Sequence, residues 1–197
     1  MNSRNFETLL LELDPVEMRL HSVRNHHVNG LDYLCLHRSD KMTVKLYFID
    51  PETIPRTPGE FLVTPHTHRY AFESTVLSGC IYHLRFEECE GNYWHRSRYV
   101  PEIRACEFES DTGLRVVDKE IHEVGSEYWV DVSEIHTLIA SSRPTLLGLV
   151  QYSDTRSTSQ VYVAKEKEMI YPASRKPTIE ETRALRDIAL AMIKTSR

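Results

Sequence analysis

The chain has 197 residues, of which 41% are hydrophobic and 27% charged, so one domain can bury a core without disulfides or structural metal ions. A formal net charge of -5 and the lack of a long basic run argue against a nucleic-acid-binding surface. The apolar run within residues 1–14 is too short for a signal peptide or a membrane span, and the four cysteines form no C-x-x-C pair, so we expect a cytoplasmic protein that does not contact membranes.

A helix is predicted at each end of the chain. Residues 5–13, NFETLLLEL, have amphipathic spacing and stop at Asp14-Pro15. Near the other end, Thr178 and Glu181 form a capping box, and the apolar residues that follow recur at helical spacing. This pattern predicts a C-terminal helix over about 178–195.

Between these helices the pattern is that of β-strands. Short runs are rich in Val, Ile, Tyr, Phe and Thr, and several alternate apolar with polar residues. The runs are LDYLCLHR, MTVKLYFI, FLVTPH, STVLSGCIYHLRF, LRVVDKEIHEV, EYWVDV, IHTLIAS and TLLGLVQYS. Many short strands with regular breaks predict an all-β antiparallel sandwich or barrel, with a core over about residues 30–155 of a single domain spanning 1–197. A Pro-rich loop is expected over residues 50–60.

The residues that point most directly to chemistry are His66 and His68. In a strand, residues i and i+2 project to the same side, so both imidazoles can reach one metal ion. An isolated H-x-H pair also occurs in ordinary polar strands. A metal site therefore needs a third ligand from elsewhere in the fold.

The segment around these histidines resembles the first motif of the cupin superfamily, G(X)5HXH(X)3-4E(X)6G, which closes here at Gly79. The second cupin motif, G(X)5PXG(X)2H(X)3N, fits in spacing from Gly125 through His136 to Ala140, although Asp131 and Ser133 replace its Pro and Gly. The resemblance implies a cupin double-stranded β-helix, or jelly-roll barrel. It also implies that His136 joins His66 and His68 as a metal ligand.

The family glutamate of the first motif falls in an ambiguous register. Counting back from Gly79 or forward from His68 puts Phe72 at its position, whereas Glu73 fits only with one more intervening residue. One of the two side chains must face the metal and the other must face away. We predict that Phe72 faces inward, which leaves a site of three histidines, while a β-bulge would turn Glu73 inward instead.

A three-histidine site without a carboxylate is similar, within the cupins, to the thiol dioxygenases. The run HTLIASSRPTLLGLVQYSDT continues the resemblance, since that family ends the corresponding strand in a Tyr-Ser whose tyrosine lies beside the iron. This makes Tyr152 the candidate catalytic residue. The alternative for Tyr152 is a tyrosine packed in the barrel. Gly148 and Val150 stand where that family has the Ser and His that support the tyrosine.

Four further side chains have two interpretations each. His83 either lines the cavity or is an ordinary half-buried histidine. Lys45, Arg69 and Arg85 either bind a substrate carboxylate or are solvated surface charges.

Three functions are compatible with these features. The first is an Fe(II)-dependent dioxygenase that acts on a small thiol or carboxylate, with Zn, Ni, Mn or Cu as other metals that suit three imidazoles. The second is a metal-dependent lyase or isomerase, and the third is a cupin that binds or senses a ligand without catalysis. We expect a small-molecule partner and a homodimer.

Overall fold

The computed structural model describes residues 1–54, 60–103, 105–167 and 173–196. Its helices are α1 (Ser3–Glu12), α2 (Pro15–Arg19) and α3 (Ile179–Thr195). Its strands are β1 (Asp32–Arg38), β2 (Met42–Ile49), β3 (Phe72–Ser78), β4 (Cys80–Val100), β5 (Ala105–Glu123), β6 (Glu127–Val130), β7 (Ile135–Ala140), β8 (Thr145–Tyr152) and β9 (Ser159–Ala164). None of the described helices has both the length and the apolar character needed to cross a bilayer.

The strands form two antiparallel sheets. One sheet has the order β1-β2-β8-β3-β6, and the other has the order β5-β4-β7, with β9 also paired to β4. Neither sheet closes on itself. The chain passes from the first sheet to the second at Gly79, whose φ of +75° suits glycine. The predicted all-β jelly roll with short terminal helices is confirmed.

The five-stranded sheet is covered on both faces. On its outer face, Leu34, Leu46 and Leu146 pack with Phe6 of α1 and Ile193 of α3. On its inner face, Val76 and Leu147 belong to a second apolar cluster, to which Ile81 of the other sheet also contributes. In β8, even-numbered residues therefore face the helices and odd-numbered residues face the interior, which decides where functional side chains can lie.

Four elements differ from the sequence prediction. The short helix α2 follows Asp14, where the sequence predicted only the end of the first helix. The run FLVTPH is not a strand, because Pro65 has no N–H to donate and His66 forms only isolated bridges. The strand β4 continues to Val100 in a long hairpin with β5, where ion pairs such as Arg98–Glu107 take the place of an apolar pattern. The strand β9 was not predicted. Part of the Pro-rich loop, including Gly59, lies outside the described residues.

Gly148 shows how tightly α1 is seated on the sheet. A Cβ atom at Gly148 would lie 2.3 Å from a ring carbon of Phe6. We expect Gly148→Ala to lower the free energy of unfolding by about 1–3 kcal/mol, because a rigid ring must move to admit the methyl group. Urea denaturation measures the loss. In a Phe6→Ala background the same substitution should cost less, and an equal cost in both backgrounds would refute this contact as the cause.

Candidate metal centre

Backbone hydrogen bonds hold the histidine pair against β7. The N–H of His66 donates to the carbonyl of His136, and the N–H of His136 donates to the carbonyl of His66, each at 3.0 Å. On the next residue, the N–H of Thr67 donates to the carbonyl of Gln160 at 2.9 Å. The segment that carries His66 and His68 is therefore fixed between β7 and β9 before it enters β3.

The side chains of His66, His68 and His136 converge. One ring nitrogen from each lies within 4.8 Å of the others. The Nε2 atoms of His68 and His136 are 2.8 Å apart, so both are within reach of one ion. The Nδ1 atom of His66 contacts the carbonyl of Thr64 at 2.8 Å, which assigns the proton to Nδ1 and leaves the Nε2 lone pair for a metal.

All three imidazoles are neutral at physiological pH. Burial lowers the pKa of His66, and it lowers the pKa values of His68 and His136 well below the usual range, with further lowering from the neighbouring histidines. Neutral imidazole is the form that binds a metal. The residues present therefore fit a divalent transition-metal ion held by three nitrogens with open positions for other ligands.

Phe72 and Glu73 lie on opposite faces of β3. The Phe72 ring contacts His68 and His136, with ring centroids 4.9 and 5.7 Å apart. The Glu73 carboxylate lies on the outer face and pairs with the Met1 amino group. The position that holds the family glutamate is therefore filled by an apolar ring, as the register count predicts.

We expect Glu73→Gln to leave metal affinity unchanged, because its carboxylate lies on the outer face of β3. Calorimetric titration with Zn²⁺ measures this, and His68→Ala serves as the variant that loses binding. A large loss of affinity in Glu73→Gln would show that the carboxylate reaches the metal.

Tyr152 is not brought to the three histidines. It ends β8 on the even-numbered, outer face, is 39% exposed, and its ring contacts Trp129 at 5.4 Å. The neighbouring Gln151 faces the interior instead, where it accepts a hydrogen bond from Lys45. The geometry therefore gives no support to a catalytic role for Tyr152. The phenol beside the site belongs to Tyr70, whose ring centroid is 5.1 Å from that of His68.

Lys45 is a charged residue buried on the inner face of the five-stranded sheet. It is 8% exposed, its Nζ donates to Gln151 Oε1 at 2.7 Å, and it lies 5.2 Å from the Tyr33 ring and 6.0 Å from the Tyr70 ring. Burial lowers the pKa of Lys45 to about 8. The alternative of a solvated surface charge therefore does not describe it.

The two arginines are engaged elsewhere. Arg69 pairs with Asp154 at 2.9 Å. Arg85 pairs with Asp118 at 2.7 Å and with Glu120 at 2.6 Å. Both guanidinium groups are already neutralised by protein carboxylates, which leaves Lys45 as the better candidate for binding an anion.

His83 was considered from the sequence only as a cavity residue or an ordinary histidine. It is fully buried, and its Nε2 lies 3.0 Å from His136 Nδ1. With a metal bound at Nε2, the His136 proton would reside on Nδ1 and donate to His83 Nε2. His83 is therefore placed to orient His136 from behind.

These observations agree with both sequence motifs. His66 and His68 come from the segment that matches the first cupin motif, His136 comes from the second, and the two sheets of the jelly roll bring them together. The third histidine lies at the start of β7, directly across from Arg85 of β4.

No family model and no curated protein matches the sequence. Among solved structures, the chain is similar to a cupin superfamily protein from Desulfitobacterium hafniense, at 12% identity and a TM-score of 0.38 over 66% of this chain and 83% of that one. It is similar to hydroxypropylphosphonic acid epoxidase from S. wedmorenis, at 14% identity and a TM-score of 0.41 over 68% and 57%. It is also similar to an oxalate decarboxylase variant from Bacillus subtilis, at 13% identity and a TM-score of 0.41 over 70% and 28%.

Proposed function

We propose that this chain is a mononuclear Fe(II) dioxygenase that acts on a small anionic molecule, a thiol or a carboxylate. The observation that supports this best is the convergence of three neutral imidazoles, with no carboxylate at the position that Phe72 fills. Such a site leaves the charge of a divalent ion uncompensated, which favours an anionic substrate. Lys45 adds a second positive charge near His68.

A bound Fe(II) ion would supply open coordination positions and the redox chemistry that O2 requires. Dioxygenation balances without a further reductant, since a thiolate and one O2 give a sulfinate that retains both oxygen atoms. The chain must therefore bind the anion, hold it next to the histidines and keep bulk water out. Phe72 and Leu149, which pack together in a buried apolar cluster, form a dry wall on one side.

Lys45 is suited to hold the substrate anion. Its ammonium group has limited access to water and one amide acceptor, Gln151, so a carboxylate or sulfur anion gains a charge-assisted hydrogen bond there. Tyr70 contacts both Lys45 and His68 through its ring, so it lies between the proposed anion-binding residue and the proposed metal position. Burial raises the pKa of Tyr70 to about 12, which keeps its phenol a hydrogen-bond donor.

The proposal is tested with protein loaded with one equivalent of Fe(II) in an oxygen electrode, with thiols and small carboxylates as substrates. We expect substrate-dependent O2 uptake that Tyr70→Phe lowers by about 10²-fold or more. Tyr152→Phe, which changes the same group on the outer face, is the matched control and should retain the wild-type rate. No uptake with any substrate, together with turnover by the Zn or Ni form without O2, would replace the dioxygenase with a lyase or isomerase. If neither activity is found, the chain would bind or sense a ligand without catalysis.

The proposal predicts that KM depends on pH through the charge of Lys45. As pH rises through about 8, Lys45 loses its proton and its charge, so the KM for an anionic substrate should rise. We expect Lys45→Met to raise KM by about tenfold or more at pH 7 and to remove this pH dependence, while kcat changes less. Steady-state O2 uptake between pH 6.5 and 9 on both proteins measures this. An unchanged KM in Lys45→Met would exclude Lys45 from substrate binding.

A further inference from the structure

A second group of metal-binding side chains lies behind the three-histidine site. It consists of His83 on β4 and Glu120 and His122 on β5, which we call the rear cluster. One donor atom from each of these residues lies within 4.8 Å of the others. Register explains the arrangement, because His83 pairs directly with Glu120 and the neighbouring Ile81 pairs with His122, so all of these side chains share one face of the sheet.

Two ring nitrogens in the rear cluster lack hydrogen-bond partners among the described residues. They are His83 Nδ1 and His122 Nε2, and both atoms are inaccessible to solvent. The residues themselves are 0% and 8% exposed. His83 Nε2 is already held by His136, so Nδ1 is the atom that His83 has left for this cluster. His122 Nε2 lies 3.3 Å from a Glu120 oxygen without the alignment of a hydrogen bond.

Such unsatisfied buried nitrogens are costly unless something binds them. The charges around them favour a cation. Arg85 is surrounded by Asp118, Glu120 and Glu134, so three carboxylates face one guanidinium group. Both histidines are neutral, because burial lowers the pKa of His83 to about 3 and lowers that of His122 as well. The formal charge of this group is therefore -2, which a divalent ion would balance.

We propose that His83 Nδ1, His122 Nε2 and the Glu120 carboxylate form a second metal site, selective for a divalent transition-metal ion such as Zn²⁺. Two imidazoles and one carboxylate are a donor set that zinc accepts, whereas Mg²⁺ and Ca²⁺ prefer oxygen ligands. The site is distinct from the three-histidine site, because His136 and His83 stand between the two metal positions.

Because of the hydrogen bond between His136 and His83, metal binding at one site weakens metal binding at the other. A metal on His136 Nε2 requires a proton on His136 Nδ1, which donates to His83 Nε2 and leaves the His83 proton on Nδ1. A metal on His83 Nδ1 requires the reverse arrangement. Occupation of both sites would place two protons between the rings, so one proton must leave. The second ion therefore binds more weakly than it would alone.

The test is calorimetric titration with Zn²⁺, with elemental analysis after gel filtration. The double variant His66→Ala/His68→Ala lacks the three-histidine site, and we expect it to bind one Zn²⁺ per chain. Adding His122→Phe should abolish that binding. This substitution keeps an aromatic ring where His122 stacks on Tyr128, with ring centroids 4.2 Å apart. Adding His95→Phe instead, at a histidine that pairs with Asp111 elsewhere on the same hairpin, should leave one Zn²⁺ bound.

In the wild-type protein the second Zn²⁺ should bind at least about tenfold more weakly than the ion in the double variant. Circular dichroism establishes that each variant is folded. A folded double variant that binds no Zn²⁺, or one whose Zn²⁺ survives His122→Phe, would overturn the second site. If the second Zn²⁺ binds the wild-type protein as tightly as the single Zn²⁺ binds the double variant, then occupation of one site does not weaken the other. Neither result depends on O2 uptake, so the dioxygenase proposal stands or falls separately.

Discussion

In a His122→Phe background, alanine at His66, His68 or His136 should abolish the binding of one metal ion per chain while the protein stays folded. The background removes the rear cluster as a competing site. Each alanine leaves only two of the three imidazoles, and Phe72 rather than a carboxylate occupies the position of the family glutamate. An open site contributes less to folding than a closed structural one, so the variants should fold without metal. The melting temperature should fall most in His136→Ala, which leaves the buried Nε2 of His83 without its partner.

Elemental analysis and calorimetry measure the loss. The matched control is His95→Phe in the same background, which should bind one ion as its parent does. Full metal content in the His136→Ala variant, with His66 and His68 intact, would show that the second cupin motif does not supply a ligand.

The second large effect is expected at His83, whose side chain is not one of the candidate ligands of the three-histidine site. In the same His122→Phe background, His83→Phe should weaken metal binding at that site by about 10- to 100-fold. The phenyl ring keeps the volume of the buried imidazole but removes the acceptor at 3.0 Å from His136 Nδ1. His136 is then free to adopt the tautomer that carries its proton on Nε2, which cannot bind a metal.

A rescue variant separates this role from packing. His83→Gln places an amide oxygen near the position of Nε2, so it should recover most of the affinity that His83→Phe loses. Competition with a chromophoric Zn²⁺ chelator gives the dissociation constants. If His83→Phe and the parent bind metal equally, the hydrogen bond does not select the tautomer of His136.

The sequence predicted the first set of ligands because their spacing is local. His66 and His68 lie two residues apart, and the same alternation continues through Tyr70 and Phe72. All four rings lie close together around the site. Tyr70 was therefore within reach of the sequence argument, as the next alternate residue after His68.

Tyr152 was predicted from the resemblance to the thiol dioxygenases, and its place on the outer face follows from the parity of β8. The run TLLGLVQY is apolar on both faces, because the helices cover one face of β8 and the cavity interior lies against the other. A strand buried on both faces has no polar alternation to show which residues point inward. Only the packing of Phe6 against Gly148 fixes the even-numbered residues on the outer face.

The rear cluster could not be predicted, because it depends on the register of a long hairpin. β4 and β5 have several register shifts, including one between Arg85 and Phe86, and each shift changes which residues face each other. Glu120 and His122 alternate along β5, but His83 lies far from both in sequence. Their proximity is a property of the pairing, which local patterns do not specify.

The most direct measurement of the central claim is X-ray absorption spectroscopy on protein loaded with one equivalent of Fe(II). We expect multiple scattering from three imidazoles and nitrogen distances of about 2.0–2.2 Å, with no protein carboxylate, and the loss of one imidazole in the His136→Ala variant. A carboxylate ligand, or a spectrum unchanged in His136→Ala, would contradict the three-histidine site.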